Sequence, residues 1–287
     1  MGGKHTISRR SPETRGNAFA GALALVTGAG QGIGRETALA LAARGSRVLV
    51  ADIDAVAAKQ TATDCAGVSY EADVSDRAAV LALAETVHAD HGTLDILVNN
   101  AGVGMSGAFV DTALEDWDWI VGINFLGVVH FCHAFGPRML ERGKGHVVNV
   151  SSALGYLPTP GEPAYGATKA AVLALSRSLR ADWARSGVGV SAVCPGVIAT
   201  GIIDHARFVG DRARPEAVRR VRELFARRGH HPRVVARAIL EAIERDRPVV
   251  PVGPEAWATW ALRGLVPSRL HDNLARLSTT VSERSLR

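Results

Sequence analysis

Apolar and polar positions along the chain follow two periods. Short apolar stretches, such as LALVT at 23–27 and RVLVAD at 47–52, predict buried β-strands. Between them, GRETALALAARG at 34–45 places apolar side chains at helical spacing and has Gly45 as a stop, which predicts a helix. The unit recurs, with further strands expected near 68–71, 94–100, 146–150, 187–195 and 248–252 and helices near 54–65, 76–91 and 233–246. This alternation predicts an α/β fold with a parallel sheet covered by helices on both faces.

One domain is expected over residues 21–253, preceded by a polar, disordered or extended leader (1–20) and followed by a helical extension (254–287). Pro251 restricts the last strand to a sheet edge, because proline cannot donate to a central ladder. The extension carries Trp257 and Trp260. We favour packing for these tryptophans, and a lid or an interfacial helix resting on lipid are the alternatives.

Charge and cysteine usage exclude some classes of protein. The net charge is +5 at pH 7, and much of it comes from an arginine-rich stretch at 207–247. Without interleaved aromatic residues, this stretch predicts a solvated helical face and not a nucleic-acid or membrane patch. Three scattered cysteines predict reduced thiols and a cytoplasmic protein. We expect neither a secretory signal nor a membrane span.

A glycine-rich loop, TGAGQGIG at 27–34, joins the first strand to the first helix. Its glycines allow a tight turn, and backbone N–H groups at the helix start can bind a pyrophosphate. Asp52 ends the second strand, eighteen residues after Gly34. An acid at this position accepts hydrogen bonds from ribose hydroxyls and repels a 2′-phosphate, which favours NAD over NADP. Asp52 could instead cap the next helix, but Asp54 is better placed to do so.

Tyr165 and Lys169 lie four residues apart in AYGATKAA, so a helix places them on one face. Such a pair is usually an ordinary surface pair. A nearby cation, however, lowers the pKa of a phenol and suits it to exchange a proton with an alcohol. Ser152 ends a predicted strand thirteen residues earlier. A hydroxyl there can hold the oxygen that the tyrosine protonates, which favours a catalytic interpretation.

These motifs occur together with DV at 73–74, NNAG at 99–102, GINFLG around Asn124 and PGVIAT at 195–200, over roughly residues 20–200. In this order and spacing, the chain resembles the short-chain dehydrogenase/reductase family in its single-domain form. We therefore expect one Rossmann-type, doubly wound parallel sheet of about seven strands in the order 3-2-1-4-5-6-7. The resemblance also implies hydride transfer between a nicotinamide cofactor and an alcohol or carbonyl carbon.

The resemblance implies roles at the matching positions. Tyr165 is expected to be the general acid/base, Lys169 to lower its pKa and hold the nicotinamide ribose, and Ser152 to position the substrate oxygen. Asn124 is expected to support a proton-relay water, although it could merely satisfy backbone groups. Cofactor contacts are expected from Gly28, Gln31, Gly32, Ile33, Gly34, Asp52, Asp73, Val74, Asn100, Ala101, Gly102, Tyr165, Lys169, Pro195, Gly196, Ile198 and Thr200.

The segment 201–231, here called the substrate segment, closes over the substrate in the family that the chain resembles. The candidate pocket residues are Met105, Leu154, Tyr156, Ile202, Ile203 and Phe208. Their apolar character predicts a bulky, lipid-like or steroid-like secondary alcohol. We expect NAD as the cofactor, no metal, no nucleic acid, and a homodimer or homotetramer built on helices near 113–135 and 165–187. The alternative is a non-catalytic NAD-binding regulator, which should have lost the serine, tyrosine or lysine.

Overall fold

A computed structural model of the protein describes residues 18–156 and 159–263. Its main element is a seven-stranded parallel sheet in the order 3-2-1-4-5-6-7. The strands are β1 (Leu23–Thr27), β2 (Arg47–Asp52), β3 (Val68–Glu71), β4 (Ile96–Asn99), β5 (Gly145–Val150), β6 (Val188–Pro195) and β7 (Val249–Val252). The predicted fold class and strand order are confirmed. Pro251 lies in β7, which is an edge strand of the sheet.

Nine helices of eight or more residues occur in the described part of the chain. They are α1 (Gly32–Ala43), α2 (Ala55–Asp64), α3 (Arg77–Asp90), α4 (Leu114–Val121), α5 (Gly127–Arg142), α6 (Pro163–Asp182), α7 (Pro215–Arg228), α8 (Arg233–Arg245) and α9 (Pro254–Leu262). The carboxylate of Asp54 caps α2 by accepting hydrogen bonds from the N–H groups of Val56 and Ala57, both at 3.0 Å. The cap is therefore Asp54, as expected, which leaves Asp52 available for another role.

Two layers of apolar side chains cover the two faces of the sheet. Along β1, Ala24 and Val26 face a cluster that includes α1, α2 and α8, whereas Leu23 and Leu25 face a cluster that includes α3, α5 and α6. Alternate residues of a strand point to opposite faces. A strand that is apolar at every position therefore has to be covered on both sides, which is the arrangement found here.

The folded part of the chain begins before the predicted boundary at residue 21. Phe19 is completely buried and packs into the cluster with α1 and α8. Its backbone oxygen accepts a hydrogen bond from Ser46 Oγ at 3.0 Å. Residues 1–17 of the predicted leader and residues 264–287 of the predicted extension lie outside the described residues, while α9 accounts for the start of the extension.

Leu114–Arg142 forms one continuous helix that is long and apolar enough to cross a membrane, by length and composition only. The sequence analysis predicted no such segment. Phe131, Phe135 and Met139 on this helix are completely buried and pack against the sheet. Its apolar composition is thus explained by its place in the core. This helix consists of α4, a π-helical turn at Gly122–Leu126, and α5. Such π-helical turns are frequent at functional sites.

The substrate segment folds over the carboxyl ends of the strands. A two-residue strand, Arg207–Phe208, pairs in parallel with another, Met105–Ser106. Arg207 binds Asp116 at 2.8 Å and stacks over the Trp119 ring at 4.0 Å, which ties the segment to α4. The rest of the segment forms α7, whose arginines are mainly exposed, as expected for a solvated face.

Candidate active site

The carboxyl ends of the parallel strands place the predicted site residues along one edge of the sheet. The glycine-rich loop follows β1, Asp52 ends β2, Asn100 follows β4, Ser152 follows β5 and Pro195 ends β6. Parallel α/β sheets bind ligands at this edge, in the crevice where neighbouring strands lead to opposite faces. The order of the strands therefore brings together residues that are up to 170 positions apart in the sequence.

The glycine-rich loop is held tightly against the end of β4. The amide Nδ2 of Asn100 donates to the backbone oxygens of Thr27 and Gly28, both at 2.9 Å. A Cβ atom on Gly34 would lie 2.1 Å from the Gly28 oxygen, so no side chain fits at that position. Gly28 itself has a φ of +59°, in the left-handed region that favours glycine. The loop leaves its backbone accessible at the start of α1, which fits a pyrophosphate.

Asp52 braces the same loop. Its Oδ2 accepts a hydrogen bond from the Gly30 N–H at 2.7 Å, and its Oδ1 accepts from the Asp54 N–H at 3.0 Å. The nearby cation, Arg35, is engaged with Asp64 at 2.7 Å. The position predicted for the adenosine ribose therefore carries an uncompensated acid.

The other predicted cofactor residues lie in or just after the segments that follow the carboxyl ends of the strands. Asp73 accepts hydrogen bonds from the backbone and hydroxyl of Ser75 at 2.9 and 2.7 Å, which fixes the turn that precedes α3. The Ala101 N–H donates to Thr27 Oγ1 at 3.0 Å. A Cβ on Gly102 would lie 3.2 Å from Lys169 Nζ. The remaining members of the set lie on the loop, beside α5 or after β6: Gln31, Gly32, Ile33, Val74, Gly196, Ile198 and Thr200.

Tyr165 and Ser152 meet at the centre of this edge. The hydroxyl of Ser152 is hydrogen-bonded to the phenol of Tyr165. The neighbouring serine points elsewhere, since Ser151 Oγ donates to the backbone oxygen of Lys169 at 2.7 Å. The structure thus distinguishes two adjacent serines in the way the thirteen-residue spacing predicts. It also places Glu162, which the sequence analysis did not select, close enough for its charge to act on Tyr165.

The pKa of Tyr165 is raised above its ordinary value. Burial raises the pKa of Tyr165 to about 12; the hydrogen bond from Ser152 opposes this shift and the charge of Glu162 adds to it. The ammonium of Lys169 lies 5.7 Å from the centre of the tyrosine ring. A cation favours the phenolate, but burial is the largest influence on this pKa and raises it. The lowering of the tyrosine pKa by Lys169 stays a prediction.

Lys169 is buried at the floor of the site. Its Nζ donates to the backbone oxygen of Val150 at 3.2 Å. Burial lowers the pKa of Lys169 to about 8, and the nearby Cys194 opposes this shift. The side chain is therefore mainly an ammonium at neutral pH and loses its charge as the pH rises above about 8.

Asn124 is completely buried in the π-helical turn between α4 and α5. Its Oδ1 accepts from the Val103 N–H at 2.8 Å, and its Nδ2 donates to the Val103 oxygen at 3.0 Å. The side chain also reaches Thr168 Oγ1 at 3.3 Å. The backbone-satisfying role considered for Asn124 is thus present, and it fixes the strand end that leads into the site. The water-relay role stays a prediction.

The candidate pocket residues lie in several surroundings in the described structure. Leu154 and Tyr156 line a groove of about 580 Å³ beside the start of α6. Ile203 lines a cavity of about 590 Å³ between α1 and α7, near the glycine-rich loop. Met105 is buried in a cluster with Tyr165. The single apolar pocket stays a prediction.

The other pocket candidates have structural contacts as well. Ile202 packs near Gly104, and Phe208 pairs with Ser106 in the short parallel ladder. The hydroxyl of Tyr156 donates to the Ala256 oxygen at 2.7 Å, and its ring packs edge-on against Trp260, with ring centres 5.1 Å apart. Tyr156 thus anchors α9 as well as lining the groove. Trp257, by contrast, is about half exposed (49%).

The sequence profile of the family described as short chain dehydrogenase matches residues 22–207, well over half of the chain. The chain belongs to the short-chain dehydrogenase family. This family comprises oxidoreductases, and the glycine-rich loop, Ser152, Tyr165 and Lys169 all lie within the matched region.

Relatives of this short-chain dehydrogenase include "Probable oxidoreductase EphD" of Mycobacterium tuberculosis, 44% identical over 269 residues, which covers 90% of this chain and 45% of the relative. The chain therefore spans about half the length of that protein. "Putative oxidoreductase SadH" of the same organism is 35% identical, with 88% of this chain and 93% of the relative covered. A short chain dehydrogenase/reductase from Burkholderia phymatum, crystallised in complex with NAD, superposes with a TM-score of 0.77 at 35% identity and covers 86% of this chain and 94% of its own.

Glu255, in the first turn of α9, is a second residue that the sequence analysis did not select. Its Oε1 accepts from the Val197 N–H at 2.9 Å, and its Oε2 lies 3.7 Å from His230 Nε2. A Cβ on Gly196 would lie 2.0 Å from this carboxylate, so the carboxylate occupies the space that only a glycine leaves. Glu255 thus fixes the PGVIAT loop (195–200) from a helix that follows the last strand of the sheet. The sequence does show an acid directly after Pro254. It does not show that this acid binds the distant Val197 N–H.

Proposed function

We propose that the protein is an NAD-dependent oxidoreductase that interconverts a hydrophobic secondary alcohol and its ketone by hydride transfer. The single observation that supports this proposal most strongly is the hydrogen-bonded pair of Ser152 and Tyr165, one helical turn from Lys169 and beside the glycine-rich loop. A non-catalytic NAD-binding regulator would not need the serine, the tyrosine and the lysine together at this position. The expectations of a homo-oligomer and of a cytoplasmic location stay predictions.

In this proposal, Tyr165 exchanges a proton with the substrate oxygen, and Ser152 holds the same oxygen by a hydrogen bond. The bound nicotinamide supplies or accepts the hydride. Because burial raises the pKa of Tyr165 to about 12, its phenol is protonated at neutral pH. This state suits donation of a proton to a carbonyl oxygen. In the opposite direction, the same group accepts the alcohol proton, which becomes easier as the pH rises.

Lys169 supports this chemistry from the floor of the site. At neutral pH its ammonium favours the negative charge that forms on Tyr165 when the proton leaves. Its Nζ lies next to Gly102, where we place the nicotinamide ribose hydroxyls. Asn124 holds Val103 and so keeps this part of the crevice open toward Lys169.

NAD is proposed as the cofactor on three grounds. The close packing of Gly34 against the Gly28 oxygen is the helix–strand contact that a dinucleotide-binding loop of this kind requires. Asp52 opposes a 2′-phosphate, and Arg35 is engaged with Asp64. A structurally similar short chain dehydrogenase/reductase was crystallised with NAD. The adenine is expected beside Asp73 and Val74, and the carboxamide beside Ile198 and Thr200.

The substrate class can be tested with purified protein and NAD. We expect turnover of secondary alcohols with chains or rings of eight or more carbons, because the side chains packed around Tyr165, among them Val103, Met105 and Val209, are apolar. Small polyols of four to six carbons should react at least about tenfold more slowly in kcat/KM, since each buried CH₂ contributes about 0.8 kcal/mol. The measurement is NADH absorbance against substrate concentration. Efficient turnover of polyols alone would contradict the proposed substrate class.

Replacing Glu255 by alanine should weaken NADH binding about tenfold, because the Val197 N–H loses its charged acceptor and the PGVIAT loop is released. Glu255→Gln retains an acceptor for Val197 and should bind NADH within about threefold of wild type. Fluorescence titration of NADH measures both affinities. Glu85→Ala, at an exposed position of α3, serves as the control. Unchanged affinity in a folded Glu255→Ala variant would show that the loop does not depend on this contact.

A further inference from the structure

A histidine on α5 holds the turn beside which we place the adenine of the cofactor. His130 lies six residues after Asn124 on the helix that continues from α4, and its side chain is half-buried. Its Nδ1 lies 3.0 Å from the backbone oxygen of Val74. Because a carbonyl oxygen only accepts hydrogen bonds, Nδ1 has to carry the hydrogen and donate it. His130 is thus attached to the turn at 73–76, between β3 and α3.

The same helix also holds the side chain of Val74. A Cβ on Gly127 would lie 2.8 Å from Val74 Cγ2, so a side chain at that position would collide with the valine. Val74 itself is buried. With its carbonyl and its side chain both held by α5, Val74 has a fixed backbone orientation. This orientation determines where its N–H group points.

The turn leaves one acceptor and one donor available to a ligand. Asp73 uses Oδ1 for the N–H and the hydroxyl of Ser75, at 2.9 and 2.7 Å, while its Oδ2 has no hydrogen-bond partner among the described residues. The N–H groups of Ala72 and Asp76 have backbone acceptors, whereas that of Val74 has none in the described part of the chain. Adenine carries an amino group next to a ring nitrogen acceptor. A carboxylate oxygen beside a free N–H group is complementary to this edge of the base.

One continuous helix therefore supports two distant parts of the crevice. Asn124 holds the backbone of Val103, which follows β4, and His130 holds the backbone of Val74, which follows β3. Six residues of helix separate the two contacts by about 9 Å along the helix axis. The proposed function places the nicotinamide ribose near the first contact, beside Lys169, and the adenine near the second.

We infer that His130 is a positioning residue for the adenine end of the cofactor. By holding the Val74 carbonyl, it directs the Val74 N–H toward the base beside the free oxygen of Asp73. This inference rests on the proposed function, which assigns NAD to the crevice, and extends it to a residue that acts on the base through Val74. The protein should therefore select adenine over other purines, and this selectivity should depend on the imidazole.

Two dinucleotides that differ only in the base test the inference. Reduced nicotinamide hypoxanthine dinucleotide carries a ring N–H and an oxygen where NADH carries a ring acceptor and an amino group, so it cannot make either contact. Fluorescence titration of wild-type protein should give an affinity for NADH about 10- to 100-fold higher than for the hypoxanthine analogue, as two hydrogen bonds provide. His130→Leu removes the donor and should reduce this preference to about threefold or less. The affinity for the analogue should stay within about twofold of wild type.

His130→Asn is the matched variant. The amide nitrogen of asparagine is attached at the same point of the side chain as the imidazole Nδ1 and can donate to the same carbonyl. Asparagine and leucine have nearly the same shape, so the two variants differ mainly in this donor. His130→Asn should keep the preference for NADH within about threefold of wild type. His133→Leu, at an exposed position of the same helix, is the control and should leave the preference unchanged.

The outcomes distinguish this inference from the proposed function. An equal loss of affinity for both dinucleotides in His130→Leu would assign His130 a purely structural role and overturn the inference. Wild-type protein that binds both dinucleotides equally well would do the same. If His130→Leu does not fold, His130→Ala replaces it, because it leaves room for a water molecule at the Val74 oxygen, and it should show the same reduced preference. Failure of wild-type protein to bind either dinucleotide would instead overturn the proposed function.

Discussion

A Tyr165→Phe variant should lose about 10²- to 10⁴-fold in kcat for alcohol oxidation, the range that a positioned acid–base group contributes. The change removes one hydroxyl from a side chain whose ring stays packed with Met105 and Val209. The hydrogen bond from Ser152 is lost with it. The proposed pyrophosphate contacts lie in the glycine-rich loop, away from the phenol, so NADH affinity should stay within about twofold of wild type. Steady-state kinetics and NADH fluorescence titration measure the two effects.

Tyr156→Phe is the matched control. It removes the same atom from a tyrosine nine residues away, whose hydroxyl donates to the Ala256 oxygen. We expect it to lose about 1 kcal/mol of stability, as for one ordinary hydrogen bond, and to retain most of its turnover. If Tyr165→Phe were as active as Tyr156→Phe, then the phenol of Tyr165 would not be the acid–base group.

The fold could be predicted because its determinants are local. Residues 23–27 are apolar at every position, which a strand covered on both faces requires. Asp54 lies where the cap of α2 has to be. Position 34 has to be a glycine because a Cβ there would collide with the backbone oxygen of Gly28, only six residues away. Features of this kind leave a signature within one turn or one strand of the chain.

The candidate site was predictable only in part, because some of its determinants depend on distant contacts. Ile203 and Leu154 are both apolar, and the sequence analysis assigned both to the candidate pocket, yet they line different cavities. Glu255 acts on Val197 from a helix that follows the last strand. The raised pKa of Tyr165 results mainly from burial among side chains of other segments, such as Met105 and Ile120, and a helical spacing carries no information about burial.

The preference for NAD over NADP should depend on the charge of Asp52. Wild-type protein should use NAD at least about 10²-fold more efficiently than NADP, because like charges held together cost several kcal/mol and about 1.4 kcal/mol corresponds to a factor of ten. Asp52→Asn removes the charge but retains an oxygen that can accept from the Gly30 N–H. The loop should therefore keep its shape while the preference falls to about tenfold or less.

The experiment compares kcat/KM for the two cofactors with one saturating alcohol. Asp54→Asn is the control. Asp54 lies two residues after Asp52, its exposed side chain caps α2, and asparagine caps helices as well as aspartate does. It should leave the cofactor ratio unchanged.

Asp52 both braces the Gly30 amide and repels the phosphate, and the two effects differ in what they change. Loss of bracing weakens the binding of both cofactors together, whereas loss of repulsion improves NADP alone. A wild-type protein that used NADP as well as NAD would show that Asp52 serves only as a brace.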